Sequence, residues 1–247
     1  MIKISNLTKC YGASDVKAVD NISLEAKGGE IVGFLGPNGA GKSTTIKCLT
    51  GILPFREGNI SVCGIDIADD PVGVKMKIGF VPDEHVIYDG LTGLEYINFI
   101  CDIFNVPSDV RQERISHYAK AFSMEEKLGI QISKYSHGMK QKISLISALA
   151  HDPDIFILDE PMTGLDPQSS YALKQIMIDF AKQGKLVFFS SHVLEVVEKI
   201  CSRIFIIDKG RLVAEFTIEE LREKRSDLSL EDFFLNITRG EANNEHI

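Results

Sequence analysis

One stretch of this sequence constrains the fold more than any other, and it reads GPNGAGKST from residue 36 to residue 44. The apolar run Ile31–Leu35 comes directly before it. The stretch matches G-x-x-x-x-G-K-[ST], in which backbone N–H groups surround phosphates, the lysine reaches the β- and γ-phosphates and the hydroxyl ligates Mg²⁺. We therefore predict a strand, a phosphate loop and a helix, with nucleotide-binding residues Gly36, Pro37, Asn38, Gly39, Ala40, Gly41, Lys42, Ser43 and Thr44.

Two acidic residues follow a second apolar run, Ile155–Leu158. An all-apolar run of this length is typical of a strand buried in a parallel sheet. By themselves, Asp159 and Glu160 are also compatible with two ordinary acids in a loop. Together with a phosphate loop, they predict a Mg²⁺ ligand at Asp159 and a catalytic base at Glu160 that polarises an attacking water.

The composition argues against several other kinds of protein. The chain has 247 residues, of which 44% are hydrophobic, so it can bury a full core. Its net charge of −8 argues against a nucleic-acid partner, because such binding depends on many Lys and Arg side chains. Its five cysteines form no C-x-x-C pair, so we expect neither a disulfide framework nor a zinc site, and we expect a reducing cytosol.

Membrane-crossing segments are not predicted either. Lys3, Lys9 and Asp15 interrupt the start of the sequence, so we expect no signal peptide, and no apolar run approaches the length that spans a bilayer. If the function concerns a membrane, we expect another chain to cross it.

The order of the remaining patterns predicts an α/β core interrupted by a helical lobe. Strands are predicted at 60–63, 78–81, 155–158 and 186–189, and a helix at 45–53. From about 84 to 151 the pattern is helical: Thr92 and Glu95 form a capping box, and apolar residues recur at Leu94, Ile97, Cys101 and Phe104. We predict one domain at 1–225, with a core at 1–83 and 152–225 and a lobe at 84–151, and a short helical tail at 226–247.

Residues 134–141, KYSHGMKQ, lie just before the Asp159 strand and resemble the signature motif of ATP-binding cassette (ABC) ATPases. Tyr11 resembles the family's adenine-stacking aromatic residue, residues 164–166 its D-loop and His192 its switch histidine, a catalytic residue. The resemblance covers nearly the whole chain. It implies a phosphate-loop core with an N-terminal antiparallel β portion and an inserted helical lobe, and ATP and Mg²⁺ as cofactors.

The resemblance also implies a second cassette as partner, because in the family the signature contacts the γ-phosphate bound by the opposite subunit. Ser136 and Gly138 would make that contact here. Ser136 is also a good helix N-cap, and a helix N-terminus suits an anion. His137 stands where the family usually has glycine, and its role is open.

A further departure lies at Asp83, where the family usually has a glutamine near Mg²⁺. A carboxylate can ligate the metal beside Ser43 and Asp159 but cannot donate a hydrogen bond. Asp83, the YSHGMKQK form of the signature and the tail at 229–234 resemble the ABC-2 exporter branch, which handles drugs, peptides and cell-envelope polymers. This implies a transmembrane permease subunit as partner and a cytoplasmic position on the inner face of the membrane.

Several alternatives remain at this point. An ABC ATPase of iron–sulfur cluster assembly has a similar length, although Asp83 and the tail argue against it. A DNA-repair or ribosome-associated ABC ATPase would need a long coiled-coil insertion or a second cassette, and a phosphate-loop kinase or GTPase would leave 135–141 and His192 without a role. Residues 85–88, HVIY, are either a groove for a permease helix or ordinary core packing.

Overall fold

The computed structural model describes residues 1–12, 16–84, 87–224 and 230–238. The described strands form two sheets. The four-stranded sheet has the order β2-β1-β4-β5 and its pairs are antiparallel, and the six-stranded sheet has the order β10-β9-β3-β8-β7-β6. In the second sheet the strands from β9 to β6 are parallel and β10 is antiparallel. The strands are β1 Ile2–Cys10, β2 Lys17–Ala26, β3 Ile31–Leu35, β4 Glu57–Val62, β5 Ile65–Asp66, β6 Ile78–Val81, β7 Ile155–Leu158, β8 Leu186–Ser191, β9 Arg203–Asp208 and β10 Arg211–Thr217.

Hydrophobic packing joins the two sheets. Phe34 on β3 and Phe188 on β8 are fully buried against each other, with ring centroids 5.5 Å apart. Ile4 from the antiparallel sheet and Ile46 from the helix after β3 belong to the same buried cluster. β3 and β7 are buried at every position, as expected for central strands of a parallel sheet covered on both faces.

The helices of the described residues are α1 Lys42–Leu49, α2 Pro71–Met76, α3 Gly93–Ile103, α4 Ser108–Ala121, α5 His137–Ala150, α6 Pro167–Lys182, α7 Leu194–Ile200, α8 Ile218–Lys224 and α9 Leu230–Thr238. Helices α3, α4 and α5 form the helical lobe, in which α5 packs against both of the others. The predicted capping box at Thr92 and Glu95 is present at the start of α3. Ile97 and Cys101 are buried as predicted, but Leu94 is 42% exposed because it lies on the outer side of the first turn.

The C-terminal end of α5 connects the lobe to the core. His151 stacks on Phe104 of α3 with ring centroids 3.7 Å apart, and burial lowers the pKa of His151 to about 4. Asp152 binds Arg114 of α4 at 2.9 Å and also pairs with Lys185 of the core. Stacking and ion pairing therefore hold the lobe at this junction.

The predicted fold class, an α/β core with an antiparallel β portion and an inserted helical lobe, is confirmed. Helix α1 spans Lys42–Leu49 rather than the predicted 45–53, because the backbone becomes helical directly after Gly41 and leaves the helical conformation at Gly51, which has a φ of 68°. Of the predicted tail, 230–238 is helix α9, while 226–229 and 239–247 lie outside the described residues. The predicted domain and lobe boundaries at 84, 151 and 225 stay predictions.

No described helix has both the length and the apolar character needed to cross a membrane.

Candidate nucleotide-binding site

The phosphate loop lies between β3 and α1, where the sequence predicts it. Gly41 immediately precedes α1 and has a φ of 109°, a region that favours glycine. A Cβ added there would lie 2.4 Å from the carbonyl oxygen of Ala18. The loop therefore needs glycine at this position both for its backbone conformation and for its close approach to β2.

Lys42 is buried at the start of α1. Its Nζ donates a hydrogen bond to the carbonyl oxygen of Gly36 at 2.7 Å and lies 3.3 Å from that of Pro37. The same atom lies 3.8 Å from Oε1 of Glu160. The loop therefore holds a fixed cation at the edge of the sheet where the acidic residues end β7.

A cleft of about 550 Å³ opens above this loop. At its rim the Tyr11 hydroxyl lies 3.1 Å from Oγ1 of Thr44, and the Tyr11 ring is exposed. The lining brings together residues that are far apart in sequence: Tyr11, Ala18, Asn38, Gly39, Gly41, Lys42, Ser43, Thr44, Asp83 and Glu160. Except for Ala18, all of them belong to the predicted site.

A larger cleft of about 770 Å³ lies along the antiparallel sheet, away from these residues. Its cations, Lys17 and Arg211, both pair with Asp20 at 2.6 Å. Because the two carboxylates of the lining, Asp20 and Glu57, balance these two positive charges, this cleft is a poorer site for phosphates than the smaller one.

The acidic pair at the end of β7 is held by Ser190 of β8. The Ser190 hydroxyl donates to Oδ1 of Asp159 at 2.6 Å and accepts from the backbone N–H of Glu160 at 2.9 Å. Asp159 is buried, and Glu160 has a φ of 50°, which non-glycine residues seldom adopt. Sequence reasoning did not select Ser190, and its signal is a serine at the end of an otherwise apolar strand.

His192 contacts Glu160 on the side away from Lys42. Its Nδ1 lies 2.8 Å from Oε2 of Glu160. The His192 side chain is 62% exposed, whereas that of Glu160 is 15% exposed. The carboxylate therefore lies between a buried cation and an exposed imidazole.

Asp83 lies near the carboxylates of Asp159 and Glu160, and this group of acids shows whether the site suits Mg²⁺. Partial burial raises its pKa, and the nearby Asp159 and Glu160 carboxylates raise it further. A bound cation would relieve this crowding. The described part of the chain holds no cluster of three or more His, Cys, Asp or Glu side chains placed to bind a metal by themselves. Mg²⁺ needs only one or two carboxylates besides phosphates, hydroxyls and water, so the residues fit it.

The signature segment, residues 134–141, lies outside the lining of the cleft around Lys42. Ser136 is the N-cap of α5, and its hydroxyl accepts a hydrogen bond from the Met139 N–H at 3.3 Å. Ser136 is exposed, and neither Ser136 nor Gly138 lines the cleft around Lys42. Within one chain, the structure thus brings together most of the predicted site but leaves the signature residues outside it.

A phosphate loop facing acidic residues at the carboxyl edge of a parallel sheet, with a helical lobe inserted, defines a phosphate-loop ATPase cassette. A family model described as ABC transporter matches residues 19–163. The chain is 33% identical to the ABC-type transporter ATP-binding protein EcsA of Bacillus subtilis, over 99% of each chain. It is 35% identical to the SkfA peptide export ATP-binding protein SkfE of the same species, over 91% of this chain and 92% of the relative.

A solved structure of an ATP-binding cassette is also similar to this chain. A dimeric ATP-binding cassette in a post-hydrolysis state, bound to ADP and Pi, superposes with a TM-score of 0.81 and 26% identity, over 88% of this chain and 99% of that one. The chain belongs to the ABC transporter family, as an ATP-binding and ATP-hydrolysing subunit that uses ATP with Mg²⁺.

Lys42→Ala tests the loop. We expect it to weaken MgATP binding by about 10²-fold, because it removes a buried cation whose charged hydrogen bonds are the strong ones. Isothermal titration calorimetry measures the affinity. Lys47→Ala, later on the same helix and not in the cleft lining, is the control. Unchanged affinity in Lys42→Ala would refute the assignment of the loop.

Asp83→Gln tests the departure from the usual glutamine. We expect the steady-state ATPase rate to stay within roughly tenfold of wild type, because Gln offers an oxygen to Mg²⁺ and adds a donor toward water. The control is Glu84→Gln, a neighbouring change at a residue that does not line the cleft. Complete loss of activity in Asp83→Gln alone would mean that the acid is specifically required.

Proposed function

We propose that this chain works as one of two cassettes, each completing the other's ATP site, and that the pair drives a separate membrane permease for export. The observation that carries the pairing is the position of Ser136. It caps α5 on an exposed surface outside the cleft that contains Lys42 and Glu160. The N-terminus of a helix, with its free N–H groups, favours an anion, so this turn is suited to a phosphate held by another chain.

In this proposal different residues of the site bind the adenine, the phosphates and Mg²⁺. Tyr11 stacks on the adenine from the rim, the phosphate loop surrounds the phosphates, and Lys42 places its charge at the β- and γ-phosphates. Ser43, Asp159 and Asp83 hold Mg²⁺, which neutralises charge that develops on the phosphates. Ser190 keeps the buried Asp159 carboxylate oriented through its 2.6 Å hydrogen bond.

Glu160 is the base. Its carboxylate is largely shielded from solvent, and its two oxygens face Lys42 and His192. The backbone at Glu160, fixed by the Ser190 hydroxyl, aims the side chain into the cleft. A carboxylate fixed in this way can orient and polarise a water for in-line attack, while His192 holds it from the exposed side.

Closure of the pair follows from the same geometry. A ligand shifts a conformational balance only through differential affinity for the two states. Contacts from Ser136 and Gly138 of one chain would exist only when a γ-phosphate is held by the other. ATP would therefore close the pair, and hydrolysis would let it open.

The permease contact is proposed for an exposed apolar surface at the edge of the lobe. Tyr88 is 61% exposed and packs edge-on against Phe99 of α3, at 5.6 Å between ring centroids, and Ile103, one turn after Phe99 on α3, is also exposed. Ile87 is half-buried against the core, so packing describes it better than a groove does. His85 and Val86 lie outside the described residues.

The relatives support export, and a location on the inner face of the membrane would follow from binding to a permease. SkfE is named as a peptide export protein, and the chain matches it over most of its length. Asp83, the YSHGMKQK form of the signature and residues 229–234 make up the sequence pattern that resembles the exporter branch. No observation favours the iron–sulfur alternative.

Glu160→Gln tests the pairing and the base together. We expect MgATP binding to persist and hydrolysis to slow by about 10²-fold, the scale of a lost general base. ATP-bound dimers should accumulate and appear by size-exclusion chromatography. Glu113→Gln, an exposed position on α4, is the control. A Glu160→Gln chain that stays monomeric in saturating MgATP and hydrolyses normally would contradict the proposal.

Tyr88→Asp tests the permease surface. We expect a folded protein with near wild-type ATPase activity that no longer co-purifies with a co-expressed permease subunit that binds the wild-type chain, because a charge blocks an apolar contact. Tyr171→Asp, at a tyrosine that is 62% exposed on α6, is a matched control. Undiminished co-purification of Tyr88→Asp would exclude this surface.

A further inference from the structure

The first turns of α5 are joined to the loop that follows Glu160. Nε2 of Gln141 donates to the carbonyl oxygen of Pro161 at 2.8 Å, and both groups are buried. Lys142 pairs with Asp166 at 2.7 Å, and this hydrogen bond holds the pKa of Asp166 well below its usual range. We call these contacts between 137–142 and 161–166 the α5 latch.

His137 adds a third contact to the latch. A Cβ added at Gly164 would lie 2.5 Å from Cδ2 of His137 and 3.0 Å from its Nε2, so the imidazole occupies the space of a side chain at 164. A Cβ at Gly138 would in turn lie 2.6 Å from the carbonyl oxygen of Gly164. The ring and the glycine are therefore complementary in size, and the ring stands where the signature usually has glycine.

The loop that His137 touches begins at Glu160. The N–H of Thr163 donates to the carbonyl oxygen of Glu160 at 3.2 Å, and the N–H of Leu165 donates to that of Met162 at 3.3 Å. Two overlapping turns thus connect Gly164 to the backbone of Glu160, which itself has a φ of 50°. A shift at Gly164 would be transmitted to the carboxylate over a short, hydrogen-bonded path.

We propose that His137 is a positioning residue that fixes the loop after Glu160 through its contact with Gly164. The inference rests on the proposed pairing of two cassettes. The first turn of α5 would contact the ATP bound by the partner chain, whereas the Glu160 carboxylate would act on the ATP bound by its own chain. Because the α5 latch joins them, the two groups would move together. Each site thereby responds to the state of the other.

A double-mutant cycle isolates the contact. Gly164→Ala collides with the ring in an otherwise wild-type chain, and we expect kcat to fall by about 10²-fold, the scale of a misplaced catalytic group. In a His137→Ala background the collision is gone, and only the backbone cost of alanine at φ +77° remains. The same substitution there should lower kcat by less than about tenfold.

Two further variants distinguish a positioning role from a merely structural one, because a merely structural role would not change the Hill coefficient for ATP. His137→Ala should lower kcat several-fold with an unchanged KM for ATP, and its Hill coefficient for ATP should fall toward 1. His137→Phe keeps a flat ring over Gly164 and should restore both values. The control is His117→Ala, at an exposed histidine on α4. Thermal melts confirm that each variant is folded.

Equal effects of Gly164→Ala in both backgrounds, or wild-type kcat and Hill coefficient in His137→Ala, would overturn the inference. If Gly164→Ala does not fold, the kcat and Hill coefficient of His137→Ala and His137→Phe still test whether His137 positions the loop. The ATP-dependent dimer of Glu160→Gln separates the two proposals. Dimers that form without any effect of His137 refute the latch role alone, whereas a Glu160→Gln chain that stays monomeric in saturating MgATP and hydrolyses normally refutes the pairing.

Discussion

The site depends on the register of three parallel strands. Leu35 of β3 pairs with Ser191 of β8, and Leu158 of β7 pairs with Phe189. The carboxyl ends of these strands therefore meet at one edge, which is where ligands bind in open α/β sheets. The phosphate loop follows β3, the Asp159–Glu160 pair follows β7 and His192 follows β8, so backbone pairing alone brings cation, carboxylates and imidazole together.

Much of this could be predicted from local patterns. The phosphate loop, the Ile155–Leu158 strand with its two acids and the capping box at Thr92 are short-range signals, and the structure has all of them. The features that sequence reasoning missed depend on contacts between distant segments. Ser190 matters because β8 lies beside β7, Leu94 is exposed because of how α3 packs, and the His137 ring faces Gly164 only once α5 meets the loop after Glu160.

The charges around the cleft fit the proposed pairing of two chains. The cleft presents one buried cation, Lys42, against the Asp83 and Glu160 carboxylates, and the buried Asp159 directly precedes Glu160. MgATP brings both a metal for the acids and phosphates for the lysine. The helix N-terminus at Ser136, the remaining group suited to an anion in the predicted set, faces outward on the lobe. A second chain would bring that turn to the γ-phosphate, and the α5 latch would connect the two sites.

Subunit complementation tests the pairing most directly. Lys42→Ala and Ser136→Ala chains are each expected to be inactive alone, because every site of either homodimer lacks one component. In a mixed dimer one site joins an intact phosphate loop to an intact signature. An equimolar mixture should therefore recover activity up to about one quarter of the wild-type ATPase rate, since half of randomly formed dimers are mixed and each keeps one of its two sites. A mixture no more active than the sum of its two components would contradict the account.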